Sequence, residues 1–272
     1  MKYSYYPGCT LSTKAKRLDD FARKSAAALG FELIELEKWQ CCGAVYPLGT
    51  DEVASKLPAV RALAAAHRLG TPLVTLCAAC HHVLKRVNDD MKNDAEVRKI
   101  VHSYAAIEGE NADDDADIGE YAGECEVIHF MEAVARVGFD VVKQKAVNPL
   151  KGRKIGAYYG CMLLRPSPVM QFDDPENPSI FEDMLAALGA TPIKYAMRNE
   201  CCGGYISLKE KEHAASQSQK IIDDAAHGGA DELITACPLC QYNVNKSAEG
   251  LEIKYFTEVL AEALGVGEGA DA

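Results

Sequence analysis

Short apolar runs alternate along the chain with longer segments whose apolar residues recur every three to four positions. Three runs have the length and composition of strands, at residues 2–6, 31–36 and 72–76. Three segments have the helical period, at residues 11–29, 51–69 and 78–89, and the first two are each followed by a glycine. Alternating strands and helices of this kind predict βαβ units and a mainly parallel sheet.

The same order of elements returns in the second part of the chain. Strands are predicted at residues 154–158, 191–195 and 232–236, and helices at residues 179–188 and 208–226. We therefore predict an α/β protein of two pseudo-symmetric, Rossmann-like halves, each a small parallel sheet with helices. The halves are placed at residues 1–148 and 149–272, and a polar, acidic stretch at 108–124 is interpreted as a solvated loop, with a carboxylate metal site as the alternative.

Charge and hydropathy exclude some functional classes. The chain has 272 residues, with 29 Lys and Arg against 40 Asp and Glu, and a formal net charge of −11. This acidity argues against nucleic-acid binding, which needs clustered basic residues. No apolar run approaches the ~20 residues that cross a bilayer, so no direct membrane span is expected. The first residues lack the apolar stretch of an export signal, and a cytoplasmic location is predicted.

Cysteine is unusually frequent in this chain. There are 11, and ten of them form two sets of five with Cys125 outside both. The sets are Cys9, Cys41, Cys42, Cys77 and Cys80, and then Cys161, Cys201, Cys202, Cys237 and Cys240. In each set 34 residues separate the Cys-Cys pair from the final Cys-x-x-Cys. Residues 128–132 also resemble residues 254–258, so the chain is interpreted as a duplication.

The predicted strands bring each set of sulfur atoms to one place. Cys9 and Cys77 follow the carboxyl ends of strands, as do their counterparts Cys161 and Cys237. Ligands of open parallel sheets bind at that edge. Five sulfur atoms of each half are therefore expected to converge. The helices that begin after Cys77 and Cys237 are expected to favour thiolate over thiol.

Five converging sulfurs leave several chemistries open. Structural zinc takes four ligands, and a cubane [4Fe–4S] cluster also takes four thiolates. A thioredoxin-like dithiol would use only Cys-x-x-Cys. Five thiolates favour a cluster of unusual shape. Cys125 is interpreted as an inert buried thiol. His81, which follows Cys80 on a predicted helix, is a weak candidate for proton transfer because histidine titrates near neutral pH.

The spacing Cys-x(31–39)-Cys-Cys-Gly-x(34)-Cys-x-x-Cys resembles the cysteine-rich CCG domain, here in two copies. Together with the opening Tyr-Tyr-Pro-Gly-Cys, it resembles the B subunit of heterodisulfide reductase. That resemblance implies two noncubane [4Fe–4S] clusters. The first would be held by Cys9, Cys41, Cys42, Cys77 and Cys80, and the second by Cys161, Cys201, Cys202, Cys237 and Cys240.

The resemblance also implies an activity and partners. The protein would be an oxidoreductase that reductively cleaves a small-molecule or protein disulfide between the two clusters; in methanogen members the disulfide joins coenzyme M to coenzyme B. Electrons would come from partners resembling the iron–sulfur C subunit and the flavin-containing A subunit of heterodisulfide reductase. The alternative is a CCG electron-transfer subunit of a quinone-linked or organic-acid oxidoreductase without disulfide chemistry. Zinc in one half is a further alternative for the cofactor.

Overall fold

Two sheets of four strands organise the computed structural model, which describes residues 1–44, 50–109 and 118–267. The strands of the first sheet are β1 (Lys2–Tyr6), β2 (Glu32–Glu35), β3 (Leu73–Thr75) and β4 (Val127–His129). Those of the second sheet are β5 (Lys154–Tyr158), β6 (Thr191–Ile193), β7 (Glu232–Thr235) and β8 (Ile253–Tyr255). Both sheets are parallel throughout and have equivalent strand orders, β2-β1-β3-β4 and β6-β5-β7-β8. The predicted fold class is confirmed.

Helices connect these strands and cover the sheets. In the first half they are α1 (Gly8–Leu11), α2 (Lys16–Leu29), α3 (Leu57–Arg68), α4 (Ala78–Asn93), α5 (Ala95–Gly109), α6 (Phe130–Val137) and α7 (Phe139–Lys145). In the second half they are α8 (Ser167–Met170), α9 (Ile180–Ala187), α10 (Lys211–His227), α11 (Pro238–Ser247) and α12 (Phe256–Ala263). Within the described residues, none of the helices combines the length and hydropathy needed to cross a bilayer.

The two halves exchange helix contacts across their interface. The last helix of the second half, α12, packs against α2 of the first half, and Thr257 donates a hydrogen bond to the Leu18 carbonyl at 3.0 Å. In the same way, α6 of the first half packs against α9 of the second. The rings of Phe130 and Phe256, which begin α6 and α12, lie 6.0 Å apart at the centre. Fully buried aromatic residues therefore form one core that both halves share.

Some predicted elements differ from the observed ones. The helix predicted over residues 11–29 is broken between α1 and α2, because the hydroxyls of Ser12 and Thr13 bond the Cys9 carbonyl and compete with helical hydrogen bonds. The helix predicted over 51–69 begins as a 3₁₀ turn at Ala54–Lys56 before α3. Residues 110–117, the middle of the acidic stretch predicted at 108–124, lie outside the described residues, and the interpretation of that stretch stays a prediction.

Candidate functional site: two converging sets of cysteines

The cysteines lie at the carboxyl ends of the strands, as the sequence predicted. Cys9 lies in α1 directly after β1, and Cys77 is the N-cap residue of α4 directly after β3. In the second half Cys161 follows β5, and Cys237 is the N-cap residue of α11 directly after β7. Equivalent strands therefore bring equivalent cysteines to one edge of each sheet.

Each Cys-Cys pair is fixed to its sheet by a buried tyrosine. The Tyr6 hydroxyl at the end of β1 donates a hydrogen bond to the Gln40 carbonyl at 2.6 Å, one residue before Cys41. The Tyr158 hydroxyl at the end of β5 donates to the Glu200 carbonyl at 2.7 Å, one residue before Cys201. The same contact thus holds the loop with the Cys-Cys pair in both halves.

Sulfur atoms of each set lie within contact distance of one another. In the first half the sulfurs of Cys41 and Cys9 are 3.5 Å apart, and those of Cys42 and Cys80 are 3.6 Å apart. In the second half the sulfurs of Cys202 and Cys240 are 3.5 Å apart, and Cys161 hydrogen-bonds Cys201.

The two sets also meet between the halves, where Cys77 and Cys237 affect each other's pKa and the backbone beside one is bonded to the backbone beside the other. Eight thiols consequently form one series of interacting neighbours through both halves. Its order is Cys9, Cys41, Cys42, Cys80, Cys77, Cys237, Cys240 and Cys202. Cys201 and Cys161 form a pair beside its second end.

Backbone hydrogen bonds fix the junction between Cys77 and Cys237. The amide of Ala78 donates to the Ala236 carbonyl at 2.9 Å, which ties the start of α4 to the end of β7. The Leu76 carbonyl accepts from His129 Nε2 at 3.0 Å and from the Tyr255 hydroxyl at 2.5 Å. Tyr255 also donates to the Ala236 carbonyl at 3.0 Å. Leu76 and Ala236, which precede the two Cys-x-x-Cys sequences, therefore each accept hydrogen bonds from residues of both halves.

Exposure and acidity vary among the thiols. Cys9, Cys41 and Cys201 are exposed, so the site opens to solvent there, whereas Cys42 and Cys202 are buried. Hydrogen bonds from Cys41 and Cys80 lower the pKa of Cys42 to about 3. A hydrogen bond from Cys161 lowers the pKa of Cys201 to about 6. Each half therefore holds a thiolate at neutral pH, which is the form that binds metals.

The expectation that both helix N-termini favour thiolate stays a prediction. The pKa of Cys77 is well below its usual value, chiefly because Cys237 and Cys80 donate hydrogen bonds to it. For Cys237, the Cys240 hydrogen bond lowers the pKa, but the bond to Cys77 and burial outweigh it and raise the pKa. Cys77 and Cys237 therefore titrate as a pair, and neither pKa reports on its helix dipole alone.

The donor set suits a cluster of several metal atoms better than a single ion. Over residues 1–44, 50–109 and 118–267, no three His, Cys, Asp or Glu side chains are arranged around one metal ion. Each half nonetheless brings five cysteines to one edge of its sheet, one more than the four ligands of a structural zinc. Thiolates spread over several metal atoms are the ligation of iron–sulfur clusters, and the residues fit such a group.

The remaining candidates lie away from the solvent. His81 is fully buried between His129 and Phe172, and neither ring nitrogen has a hydrogen-bond partner; Glu132 Oε2 is 3.8 Å from its Nε2. Burial keeps the pKa of His81 well below its usual value, and its role in proton transfer stays a prediction. Cys125 is buried, and burial raises its pKa to about 12, so it is a poor nucleophile.

Sequence reasoning missed Tyr205. This residue lines a pocket at the second set of cysteines together with Met162, Leu239, Tyr159 and Ala78, the last of which belongs to the first half. Its position three residues after Cys202 could have identified it, because the chain that follows a Cys-Cys-Gly sequence runs along the edge of the cysteine site.

The fold and the cysteines define a duplicated α/β protein with one sulfur-rich centre shared by two halves. The family model for the cysteine-rich CCG domain matches residues 3–85 and residues 155–245. The chain therefore belongs to the CCG cysteine-rich domain family, with two copies of the domain. Heterodisulfide reductase B subunits, 22 to 26% identical, are among its homologues, so the resemblance stated from the sequence is confirmed.

Individual relatives span nearly the whole chain. The 8-methylmenaquinol:fumarate reductase membrane anchor subunit of Wolinella succinogenes is 29% identical over 97% of this chain and 93% of its own length. The B subunit of the ferredoxin/F420H2-dependent CoB-CoM heterodisulfide reductase of Methanosarcina acetivorans is 26% identical over 94% of this chain and 84% of its own. A solved structure of a hypothetical protein from Helicobacter pylori has the same fold, with a TM-score of 0.70 and 11% identity; this chain spans 49% of its length.

Proposed function

We propose that this protein is the catalytic iron–sulfur subunit of a heterodisulfide reductase-like complex. Two noncubane [4Fe–4S] clusters would supply the electrons that cleave a disulfide. One would be held by Cys9, Cys41, Cys42, Cys77 and Cys80, and the other by Cys161, Cys201, Cys202, Cys237 and Cys240. The ligand sets are those expected from the sequence and the CCG family.

The junction of Cys77 with Cys237, where the amide of Ala78 bonds the carbonyl of Ala236 at 2.9 Å, carries this proposal. A disulfide has two sulfur atoms about 2 Å apart, so a reaction that uses both cofactors needs them side by side. Two electron-transfer centres that act in sequence would not need such contact. The contact therefore favours joint action on one small bond over two independent sites.

The surroundings of the cysteines support a reaction shielded from water. Six of the ten are buried, and the pocket beside Cys161 and Cys237 is lined mainly by apolar side chains. Cys9, Cys41 and Cys201 are exposed at its edge and provide the way in. A site of low polarity protects reactive sulfur from side reactions with solvent.

A second function is favoured by the Wolinella relative. Its name places it in a quinol-linked fumarate reductase, at 29% identity. In the corresponding proposal, the two clusters only transfer electrons between a quinol and a partner protein. Partners resembling the C and A subunits of heterodisulfide reductase belong to the first proposal. A cytoplasmic location remains a prediction in both, and attachment to a membrane would then come through a partner.

Anaerobic purification followed by iron and sulfide assay tests the cofactor. We expect about eight irons per chain, four for each cluster. Cys41→Ser and Cys201→Ser should each lose about half of this iron, and Cys125→Ser, the matched control, should lose none. Iron content unchanged in the first two variants, or two zincs per chain, would contradict the ligand assignment.

EPR during titration with a thiol separates the two functions. If the protein acts on disulfides, an added thiol changes the EPR spectrum of the oxidised protein, and the change is absent from Cys41→Ser or Cys201→Ser. If it only transfers electrons, a reduced quinol analogue alters the spectrum and thiols do not.

A further inference from the structure

Tyr205 lies where the two halves meet, beside the contact between Cys77 and Cys237. It belongs to the 3₁₀ helix Gly204–Ile206, which follows the second Cys-Cys-Gly directly, and 39% of the residue is exposed. Burial and then nearby sulfur atoms raise the pKa of Tyr205. The sulfur atoms concerned are those of Cys237, Cys77, Cys42 and Cys80. One phenol of the second half therefore lies in a pocket that Cys237 and, from the first half, Ala78 also line.

Tyr205 is held far more loosely than the tyrosine behind the same contact. Tyr255 is fully buried, and its hydroxyl bonds two backbone carbonyls at 2.5 and 3.0 Å. The Tyr205 hydroxyl instead donates to the thioether sulfur of Met162 at 3.7 Å. A thioether is a weak acceptor, so a better placed sulfur atom can replace it at little cost.

The pocket below Tyr205 has an apolar wall. Met162 and Leu239 line it from the second half and Ala78 from the first. A charged group would lose its hydration against these side chains, whereas an uncharged carbon chain would bury apolar surface.

We propose that Tyr205 and Met162 form the ligand-facing wall of the second sulfur site, and that this wall admits an uncharged thiol or disulfide arm. The proposal rests on the proposed function, because it takes the ligand to be a thiol or disulfide. On binding, the sulfur of the ligand replaces Met162 Sδ as acceptor of the Tyr205 hydroxyl. Its carbon chain packs on Met162 and Leu239. No covalent bond changes in this step.

Two variants of Tyr205 separate its hydroxyl from its ring. The iron-loaded full chain is titrated with 2-mercaptoethanol, an uncharged thiol, and the EPR spectrum gives the half-saturating concentration. Tyr205→Phe should raise that concentration about two- to tenfold, the worth of one hydrogen bond. Tyr205→Ala should raise it at least as much. It should also release iron to the chelator ferrozine several-fold faster, since the cover is gone, whereas Tyr205→Phe should release iron at the wild-type rate.

Charge selection is tested with thioglycolate, which resembles 2-mercaptoethanol in size but carries a carboxylate. It should bind the wild type at least tenfold more weakly. Tyr242→Phe is the matched control, since Tyr242 is an exposed tyrosine of the same half that bonds Lys246 and does not line the pocket. It should match the wild type in all three measurements.

The inference is overturned if both Tyr205 variants bind 2-mercaptoethanol as the wild type does, or if thioglycolate binds equally well. It is also overturned if Tyr205→Ala releases iron at the wild-type rate. A wild-type protein that holds iron and responds to neither thiol contradicts the proposed function instead. The iron-release comparison then still decides whether Tyr205 covers the site.

Discussion

In the first half Cys9 is exposed, and the hydroxyl of its neighbour Thr10 lies 4.0 Å from its sulfur, whereas the counterpart Cys161 is half-buried beside Met162 and the buried Leu163. Behind these cysteines the two halves agree closely. They have equivalent parallel sheets and the same tyrosine bond to the loop of the Cys-Cys pair. The scaffold thus places the sulfur atoms alike, and the residues around the openings make the two sites chemically different.

At the centre of the molecule, too, the scaffold is equivalent in the two halves while individual residues differ. Ala78 donates its amide to the Ala236 carbonyl, but Pro238, at the position equivalent to Ala78, has no amide hydrogen to return to Leu76. The Leu76 carbonyl is bonded by His129 and Tyr255 instead. The Leu76 carbonyl, which receives no hydrogen bond from Pro238, is therefore satisfied by two side chains, as a buried polar group requires.

The largest expected difference between the halves concerns the glycine before the first cysteine of each set. Gly8 and Gly160 both have positive φ, at +76° and +65°. A Cβ at Gly8 would lie 2.7 Å from the Cys80 sulfur, whereas at Gly160 the nearest atom, the Cys240 sulfur, would be 3.6 Å away. Gly8→Ala should lower the free energy of unfolding by about 2–5 kcal/mol, because backbone strain and a clash add.

Gly160→Ala should cost only the strain, about 1–2 kcal/mol. Urea denaturation of both variants measures the difference, and iron analysis should show a loss for Gly8→Ala. Equal costs would mean that the first set of cysteines is not packed more tightly behind its glycine than the second.

The next effect is acid sensitivity confined to the first half. Burial lowers the pKa of His129 to about 4, and both ring nitrogens of the neutral form are bonded, to Leu76 and Met131. The unfolded chain, with an ordinary histidine pKa near 6.5, takes up the proton first. Stability from His129 is therefore complete above pH ~6.5 and is lost as the pH falls towards 4, by at most ~3 kcal/mol.

His129→Gln should flatten the pH dependence of the free energy of unfolding between pH 6.5 and 4. Tyr255→Phe, at the equivalent position of the second half, should leave that dependence unchanged because tyrosine does not titrate there. Parallel curves for the wild type and His129→Gln would contradict a neutral buried His129.

The tyrosine anchors should give equal effects in the two halves. Tyr6→Phe and Tyr158→Phe each remove one hydrogen bond to the carbonyl before a Cys-Cys pair and should cost about 1 kcal/mol. Thermal or urea unfolding checks the pair. A cost at only one position would show that the other loop is fixed by further contacts, of which the edge contact between Trp39 and Tyr6 at 5.3 Å is one.

The last expected effect, similar in size to that of the tyrosine anchors, is a gain in stability. Gln241 donates to Glu258 at 3.1 Å, while His81, at the equivalent position, makes no hydrogen bond to Glu132. His81→Gln should introduce that bond and raise the free energy of unfolding by about 1 kcal/mol. The measurement belongs at pH 8, since burial raises the pKa of Glu132 to about 7. If the same variant loses activity with thiols, His81 has a role in proton transfer that outweighs its cost to stability.

Much of the scaffold could be predicted because local signals and burial agree. Lys2–Tyr6 and Lys154–Tyr158 match the predicted strands residue for residue, since each apolar run leads directly to a glycine turn. The break between α1 and α2 could not be predicted, because it depends on the Cys9 carbonyl accepting hydrogen bonds from the hydroxyls of Ser12 and Thr13.

The cysteine pattern made the site predictable for each half, and the resemblance placed the substrate disulfide between the two clusters and so implied that the two sets face each other. Equal spacing and strand ends indicated that five sulfur atoms gather at one edge of each sheet. The junction of Cys77 with Cys237 depends on how two sheets dock, and docking follows from the shared core around Phe130 and Phe256 rather than from any local pattern. Tyr205 was missed for the same reason, because its importance arises only across that junction.

The reciprocal packing of α12 on α2 and of α6 on α9 has an evolutionary consequence. The helix after the fourth strand of each half rests on the helix between the first two strands of the other, which is the isologous contact of a twofold homodimer. A single-domain ancestor that paired with itself would have formed this junction from two identical chains. Fusion of two such copies would let each change on its own, and Pro238 in one half and His129 in the other are differences of this kind.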